Sequence, residues 1–167
     1  MDTKQPFEQI VTQHGPTVLR IGRAVVGPSD ADDVWSETFL AAMRAYPDLA
    51  ADANVEAWLV TITHRKAIDH LRARARRAVP VDDVPVDHVR RGSTDGDPAL
   101  RDDSVWTLVA ALPDKQRQVI AYRYLAGLPY AQVAELVGGT AEAARRAASD
   151  GLAALRGRLR DSGEETA

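Results

Sequence analysis

No cysteine occurs in the 167 residues, which rules out a disulfide framework and a thiolate metal site. The longest apolar runs fall far short of the ~18 residues that a membrane span needs. The amino-terminal stretch MDTKQPFEQI has neither the basic start nor the continuous apolar segment of a signal peptide, so a cytoplasmic protein with no membrane span is expected. Period-two alternation and hairpin signals are missing too, which leaves an all-α chain. Motifs of catalysis are equally absent: there is no HExxH, no phosphate-cradling glycine loop, and no nucleophile at a recognisable spacing from a base. His64, Asp69 and His70 are close in sequence, but positions 69 and 70 diverge by about 100° around a helix, and His64 falls on the predicted core side. The chain is therefore expected to be no enzyme, with no cofactor and no metal.

What is present falls into three parts. Residues 7–77 carry helical periodicity, residues 78–99 do not, and residues 100–160 are helical again. The middle part, AVPVDDVPVDHVRRGSTDGDPA, holds Pro80, Pro85, Pro98, Gly92 and Gly96, with five aspartates against two arginines. It can bury little apolar surface and is expected to be an extended acidic linker. The organisation that follows is a helical domain over 1–77, a linker over 78–99 and a second helical domain over 100–167.

In the first domain Ser29 is placed to cap a helix over about 30–46, with Asp30, Asp32 and Asp33 in its first turns and Pro47 near its end. Ala31, Val34, Trp35, Thr38, Phe39, Ala42 and Tyr46 gather on one side as a core face. The opposite side carries Asp33, Glu37, Leu40 and Arg44, an acidic stripe with a leucine in it, which suits either solvent or a protein partner.

The next helix, about 55–77, contains ITHRKAIDHLRARARR. Six of its residues are basic (Arg65, Lys66, Arg72, Arg74, Arg76 and Arg77) against one acid, Asp69, although the whole chain has a net charge of −3. Ala57, Val60, His64, Ala67, Ile68 and Leu71 form a stripe expected to pack on the core. Trp58, Ile62, Arg65, Asp69, Arg72 and Arg76 form a second. Arginines pair with phosphates and an aromatic ring can stack on an unpaired base, so this second stripe suits nucleic acid. A solvated basic helix end, favoured by the helix dipole, has the same appearance.

The second domain reads as short helices. Pro113 fits the first position of a helix in which Val119, Ile120 and Tyr124 recur on one side, and Gly127 to Pro129 breaks it. Tyr130 to Val137 then gives two turns, Gly138 and Gly139 a tight turn, and Thr140 a cap for the helix that follows. With small Ala134 in the first of these helices and Ala144 and Ala148 in the second, the dimensions are those of a helix-turn-helix.

Taken in order, DADDVWSETFLAAMRAY, VEAWLVTITHRKAIDHLRARARR and LPDKQRQVIAYRYLAGLPYAQVAELVGGT resemble bacterial sigma factors of the extracytoplasmic-function (ECF) group in the sigma-70 family, over residues 7–160. The resemblance implies that the first domain is region 2, a helical bundle that binds the polymerase clamp and opens the minus-10 element. The second would be region 4, a helix-turn-helix for the minus-35 element and the polymerase flap. It puts Asp33, Glu37, Leu40 and Arg44 on the clamp coiled coil. Leu49, Trp58, Ile62 and Arg65 would lie where a flipped base is captured, and Lys66, Arg72 and Arg76 along the strand. Thr140, Arg145 and Arg146 would face the minus-35 duplex. The implied partners are bacterial core RNA polymerase, promoter DNA and, as in many relatives, an anti-sigma protein.

Two departures from the family pattern stand out. Many relatives have asparagine at the position of Arg65, and arginine accepts no hydrogen bond, so base preference should differ. In the recognition helix the run is Ala144, Arg145, Arg146, Ala147, Ser149, Asp150 and Gly151, in which Asp150 repels phosphate and Gly151 costs up to ~1 kcal/mol of helix stability. The competing reading is a sigma-like or stand-alone helix-turn-helix regulator with atypical promoter recognition. In its stand-alone form that regulator would bind duplex DNA as a symmetric dimer without polymerase.

Overall fold

The computed structural model describes residues 4–78 and 103–164, and every described element is helical. Of the expected linker, all but Ala78 lies outside the described residues. The first module comprises α1 (Phe7–Val26), α2 (Pro28–Ala45), a 3-10 turn (Tyr46–Asp48) and α3 (Val55–Arg77). The second comprises α4 (Asp103–Ala110), α5 (Asp114–Ile120), a π turn (Ala121–Leu125), α6 (Tyr130–Val137) and α7 (Ala141–Glu164).

Helix α1 turns Ile10, Val18, Ile21 and Val25 inward at helical spacing. Gly27, at φ 89°, closes it with its N–H on the Arg23 carbonyl and lets α2 start at once. That start is two residues earlier than a Ser29 cap would give. Pro28 takes the first helical position, where its missing N–H costs nothing, and Ser29 makes no capping bond. Pro113 is likewise the cap residue of α5 and not its first helical position.

The apolar interior has two parts. An aromatic cluster surrounds buried Ile10, Val18, Phe39, Ala42 and Leu59 in the first module. Its rings step from Trp35 to Phe39 at 4.7 Å, from Phe7 to Tyr46 at 5.4 Å and from Tyr46 to Trp58 at 6.3 Å between centroids. The other part joins Ile21, Val25, Val34, Val60 and Ala67 to Val109, Val119, Tyr122, Val133, Ala144 and Ala148, so one continuous core runs through both modules. Ala57 and Leu71 pack against this shared core. The α3 stripe that periodicity assigns to the first module's own core thus also carries the contact with the second module.

Tyr124 departs from expectation. It is 54% exposed, while Tyr122 is fully buried. Residues Ala121–Leu125 wind as a wider π turn, with the Ala126 N–H on the Ala121 carbonyl, and the extra residue in the turn rotates the inward face from 124 to 122. Gly151 has a packing reason: a Cβ there would come within 2.6 Å of Ile120 Cδ1 and 3.3 Å of Gln116 Cβ, so its bare backbone lets α7 lie close on α5.

Candidate nucleic-acid interface

Asn54 starts α3 by accepting the Ala57 N–H on its side-chain oxygen at 3.0 Å, and the helix then runs unbroken to Arg77. Its inner side holds Leu59, Val60, Thr63 and Ala67. Three other sides carry different chemistry.

Arg65 and Arg72 are exposed along the outer stripe, with Arg76 beyond them. Trp58 and Ile62, at the start of the same stripe, are half-buried in the aromatic cluster, where Trp58 leans on Tyr46. The amino-terminal part of the stripe is thus a built apolar platform and the carboxy-terminal part a row of free cations. The cations at the end, Arg74, Arg76 and Arg77, are where the helix dipole favours them. Arg74 is engaged there, donating to the Val26 carbonyl at 3.0 Å and pairing with Asp30.

Lys66 and Arg76 do not stand apart from the acidic face of α2. Both line a groove of about 530 Å3 between α2 and α3, together with Glu37, Leu40, Arg44 and Asp69. Glu37 meets His70 across it at 3.1 Å. Leu40 and Met43, at 51% and 52% exposure, leave apolar surface on the α2 side. Asp33 is exposed one turn before Glu37. The acidic stripe is thus the wall of a groove whose other wall is basic, a mixed surface of the kind that selects partners by charge complementarity.

Leu49 lies half-buried in the loop between the 3-10 turn and α3. The loop is held by a residue that sequence reasoning missed. The Lys4 ammonium donates to the carbonyls of Tyr46, Pro47 (3.1 Å) and Leu49 (2.6 Å), and lies 4.6 Å from the Tyr46 ring centroid. All three of its protons are used. The Tyr46 hydroxyl in turn donates to the Gln5 carbonyl at 2.5 Å. Together these groups frame a cleft of about 380 Å3 with Leu49, Ala50, Ala51 and Val55, roomy enough for an unpaired base. No local pattern marks Lys4, because its partners are more than 40 residues away in sequence.

In the second module Thr140 accepts the Ala143 N–H at 3.1 Å and so caps α7. Gly138 and Gly139, at φ 84° and 91°, make the turn before it. Arg145 and Arg146 are exposed in the first turns of α7, and Asp150 follows on the surface. Arg145 is steadied by Tyr130, whose ring centroid is 5.2 Å from its guanidinium and 4.6 Å from that of Arg123. Arg123 thereby adds a cation that the recognition-helix sequence does not show. The Tyr124 hydroxyl is bonded to Tyr130, which raises its pKa.

His64 points into the joint between the modules. Its Nδ1 is 2.6 Å from the buried Tyr122 hydroxyl, with the rings edge to face at 5.3 Å. Burial lowers the His64 pKa below 6.5, the Leu136 backbone bond opposes that, and Arg65 and Arg72 add to the lowering. The ring is neutral at pH 7. Burial also pushes Tyr122 well above the usual phenol range. Among the described residues no group of three or more His, Asp or Glu side chains is placed to hold a metal, and no helix is long and apolar enough to cross a membrane.

Comparison with known proteins bears on both modules. The model of Sigma-70 region 2 matches residues 10–77, and that of Sigma-70, region 4 matches residues 102–155. The ECF RNA polymerase sigma factor SigD of Mycobacterium tuberculosis is 34% identical over 174 residues, covering 96% of this chain and 80% of that protein. SigC of the same species is 33% identical over 65% of this chain, and there the match spans only 58% of the relative's length. Among solved structures, the sigma factor RpoE in its complex with the anti-sigma factor NepR from Bartonella quintana superposes with a TM-score of 0.72. It shares 20% identity and covers 92% of this chain and 96% of its own. CnrH in complex with the cytosolic domain of CnrY gives 0.63 at 23% identity, over 93% and 88%. These two likenesses are of fold.

Proposed function

The chain belongs to the ECF group of RNA polymerase sigma factors, and from that premise we propose that it directs core polymerase to specific promoters and nucleates their opening. The observation that carries the proposal is the presence of both sigma modules, in order, in one chain that aligns with SigD over 96% of its length.

The geometry supports a division of labour. The groove between α2 and α3, with Glu37, Leu40 and Arg44 on one wall, meets the basic coiled coil of the polymerase clamp. The cleft framed by Lys4, Tyr46 and Leu49 takes a base flipped from the non-template strand, whose extrusion costs a few kcal/mol and is offset by contacts in the cleft. Trp58 and Ile62 hold the loop from beneath, and Arg65, Lys66, Arg72 and Arg76 follow the strand's phosphates. Thr140, Arg145 and Arg146 approach the minus-35 duplex, and the linker over 78–99 separates the two functions. No bond is made or broken. Strand separation is an equilibrium that moves because one separated strand is bound.

The acidic remainder of the chain limits indiscriminate DNA binding by the free protein, so that specific binding depends on polymerase. RpoE was solved with the anti-sigma factor NepR, and a protein of that kind restrains this chain as well.

The test is run-off transcription with core polymerase on a promoter library. Transcripts from a restricted promoter set are expected. Normal assembly with core polymerase but no promoter-dependent transcript would sink the proposal.

A further inference from the structure

We propose that Lys4 is the positioning residue of the base-capture cleft, holding the segment over 47–52 in the shape that makes the cleft selective among bases. The inference rests on the sigma-factor reading above and deepens it, by naming what sets the form of the site that receives the flipped base.

The segment has little to hold it from within. From Pro47 to Asp52 every residue but Leu49 is exposed. Its own backbone supplies a bond from the Leu49 N–H to the Tyr46 carbonyl and one from the Ala53 N–H to the Ala50 carbonyl, each at 3.1 Å. A stretch with so little buried apolar surface opens readily unless something outside it fixes it.

Lys4 supplies that fixing. Its ammonium gathers the carbonyls of Tyr46, Pro47 (3.1 Å) and Leu49 (2.6 Å), and Lys4, Tyr46 and Leu49 all line the cleft. Carbonyl oxygens aimed at one point carry like partial charges and repel one another, and a cation between them turns that repulsion into attraction. Without the ammonium the carbonyls separate and take water, and the wall of the cleft moves with them. Tyr46 ties this arrangement to the aromatic cluster. Its ring lies 4.6 Å from the ammonium, its hydroxyl donates to the Gln5 carbonyl at 2.5 Å, and its ring leans on those of Phe7 and Trp58.

The same geometry separates Lys4 from the arginines of α3. An ammonium has three protons, and all of them are directed at carbonyls of the segment, so none is left for a phosphate or a base edge. Arg65 and Arg72 are exposed and act on the strand directly, whereas Lys4 acts through the segment. A preorganised cleft loses less conformational freedom when a base enters, and the advantage is confined to bases whose shape it fits. Loss of Lys4 therefore weakens discrimination between bases while leaving the phosphate contacts as they were.

The absence of cysteine makes the test clean. Lys4→Met keeps nearly the length of the side chain without its charge. Lys4→Cys treated with 2-bromoethylamine restores an ammonium at nearly the same reach, the thiolate forming the S–C bond as bromide leaves. Hydrogen exchange in the free chain reads the segment independently of polymerase: Lys4→Met is expected to raise exchange there about tenfold and to leave the helices unchanged. With core polymerase, initiation is compared on promoters carrying each of the four bases at the captured position. The ratio of best to worst base should fall about tenfold in Lys4→Met, with the salt dependence of wild type, and the aminoethylated chain should recover the ratio. Unchanged exchange or an unchanged base ratio in Lys4→Met would overturn the proposal, as would failure of the restored amine to recover the ratio. A salt dependence flattened by about one phosphate contact would also overturn it, making Lys4 a strand contact. A wild-type chain with no promoter-dependent transcription would instead strike the sigma-factor reading, while the exchange result would still decide whether Lys4 orders the segment.

Discussion

The two modules reach similar helical architectures by different means. The first is fastened by large rings (Phe7, Trp35, Phe39, Tyr46 and Trp58) that surround buried Leu59 and leave the long helix α3 free to display its arginines. The second is built on close approach: Ala144, Ala148 and Gly151 bring α7 directly onto its neighbours, and Tyr122 is the largest fully buried side chain among its described residues. Large rings tolerate a chemically varied outer surface because the interior is already filled. Close helix packing admits no added atom. The contrast teaches that the first module should be sensitive to lost volume and the second to added volume.

The largest effect expected from breaking this contrast is at Leu59, which is 1% exposed. Leu59→Ala should cost about 3 kcal/mol by transfer and cavity terms, read as a lowered denaturant midpoint. Next is Gly151→Val. Alanine there would gain up to ~1 kcal/mol of helix propensity, offset by the displacement of Ile120. Valine, being larger and branched, should destabilise by about 2 kcal/mol and lower the melting temperature. A melting temperature unchanged by valine would show that the close approach of α5 and α7 is not a constraint.

The third prediction sharpens the comparison on DNA. Arg65→Ala should reduce open-complex formation about tenfold and flatten its salt dependence by about one phosphate contact, whereas Arg146→Ala should cost about threefold. Equal losses at both positions would mean that the second module reads DNA as strongly as the first.

The smallest effect is that of pH on the joint between them. His64 is neutral when buried, with its pKa lowered by burial and by Arg65 and Arg72. A pKa depressed in the folded chain means that its contribution is complete above the ordinary value of ~6.5 and is lost as pH falls through the lowered one. The denaturant midpoint of the chain should fall modestly between pH 7 and pH 5, and that of the His64→Gln chain should fall less. An equal response from both chains would assign the effect to other groups.

Much of this was legible along the chain. Helix α3 spans Val55–Arg77, as the periodicity predicts, and the Thr140 cap follows directly from its place after two glycines. The acidic stripe of α2 is likewise exposed at Asp33, Glu37, Leu40 and Arg44. Other features were hidden for identifiable reasons. Tyr122 displaces Tyr124 from the core because a π turn breaks the 3.6-residue period. Lys4 holds a loop more than 40 residues away, and a contact at that range leaves no trace in local spacing.

The sequence by itself determined the course of the helices, the Thr140 cap, the concentration of arginine on α3 and the order of two family modules, because each depends on neighbours within a few residues. Only the tertiary structure decided that His64 meets Tyr122, that Lys66 and Arg76 share a groove with Glu37, and that one core joins both modules. An apolar stripe specifies that it must be buried. It does not name the surface that buries it, since the hydrophobic effect has no direction.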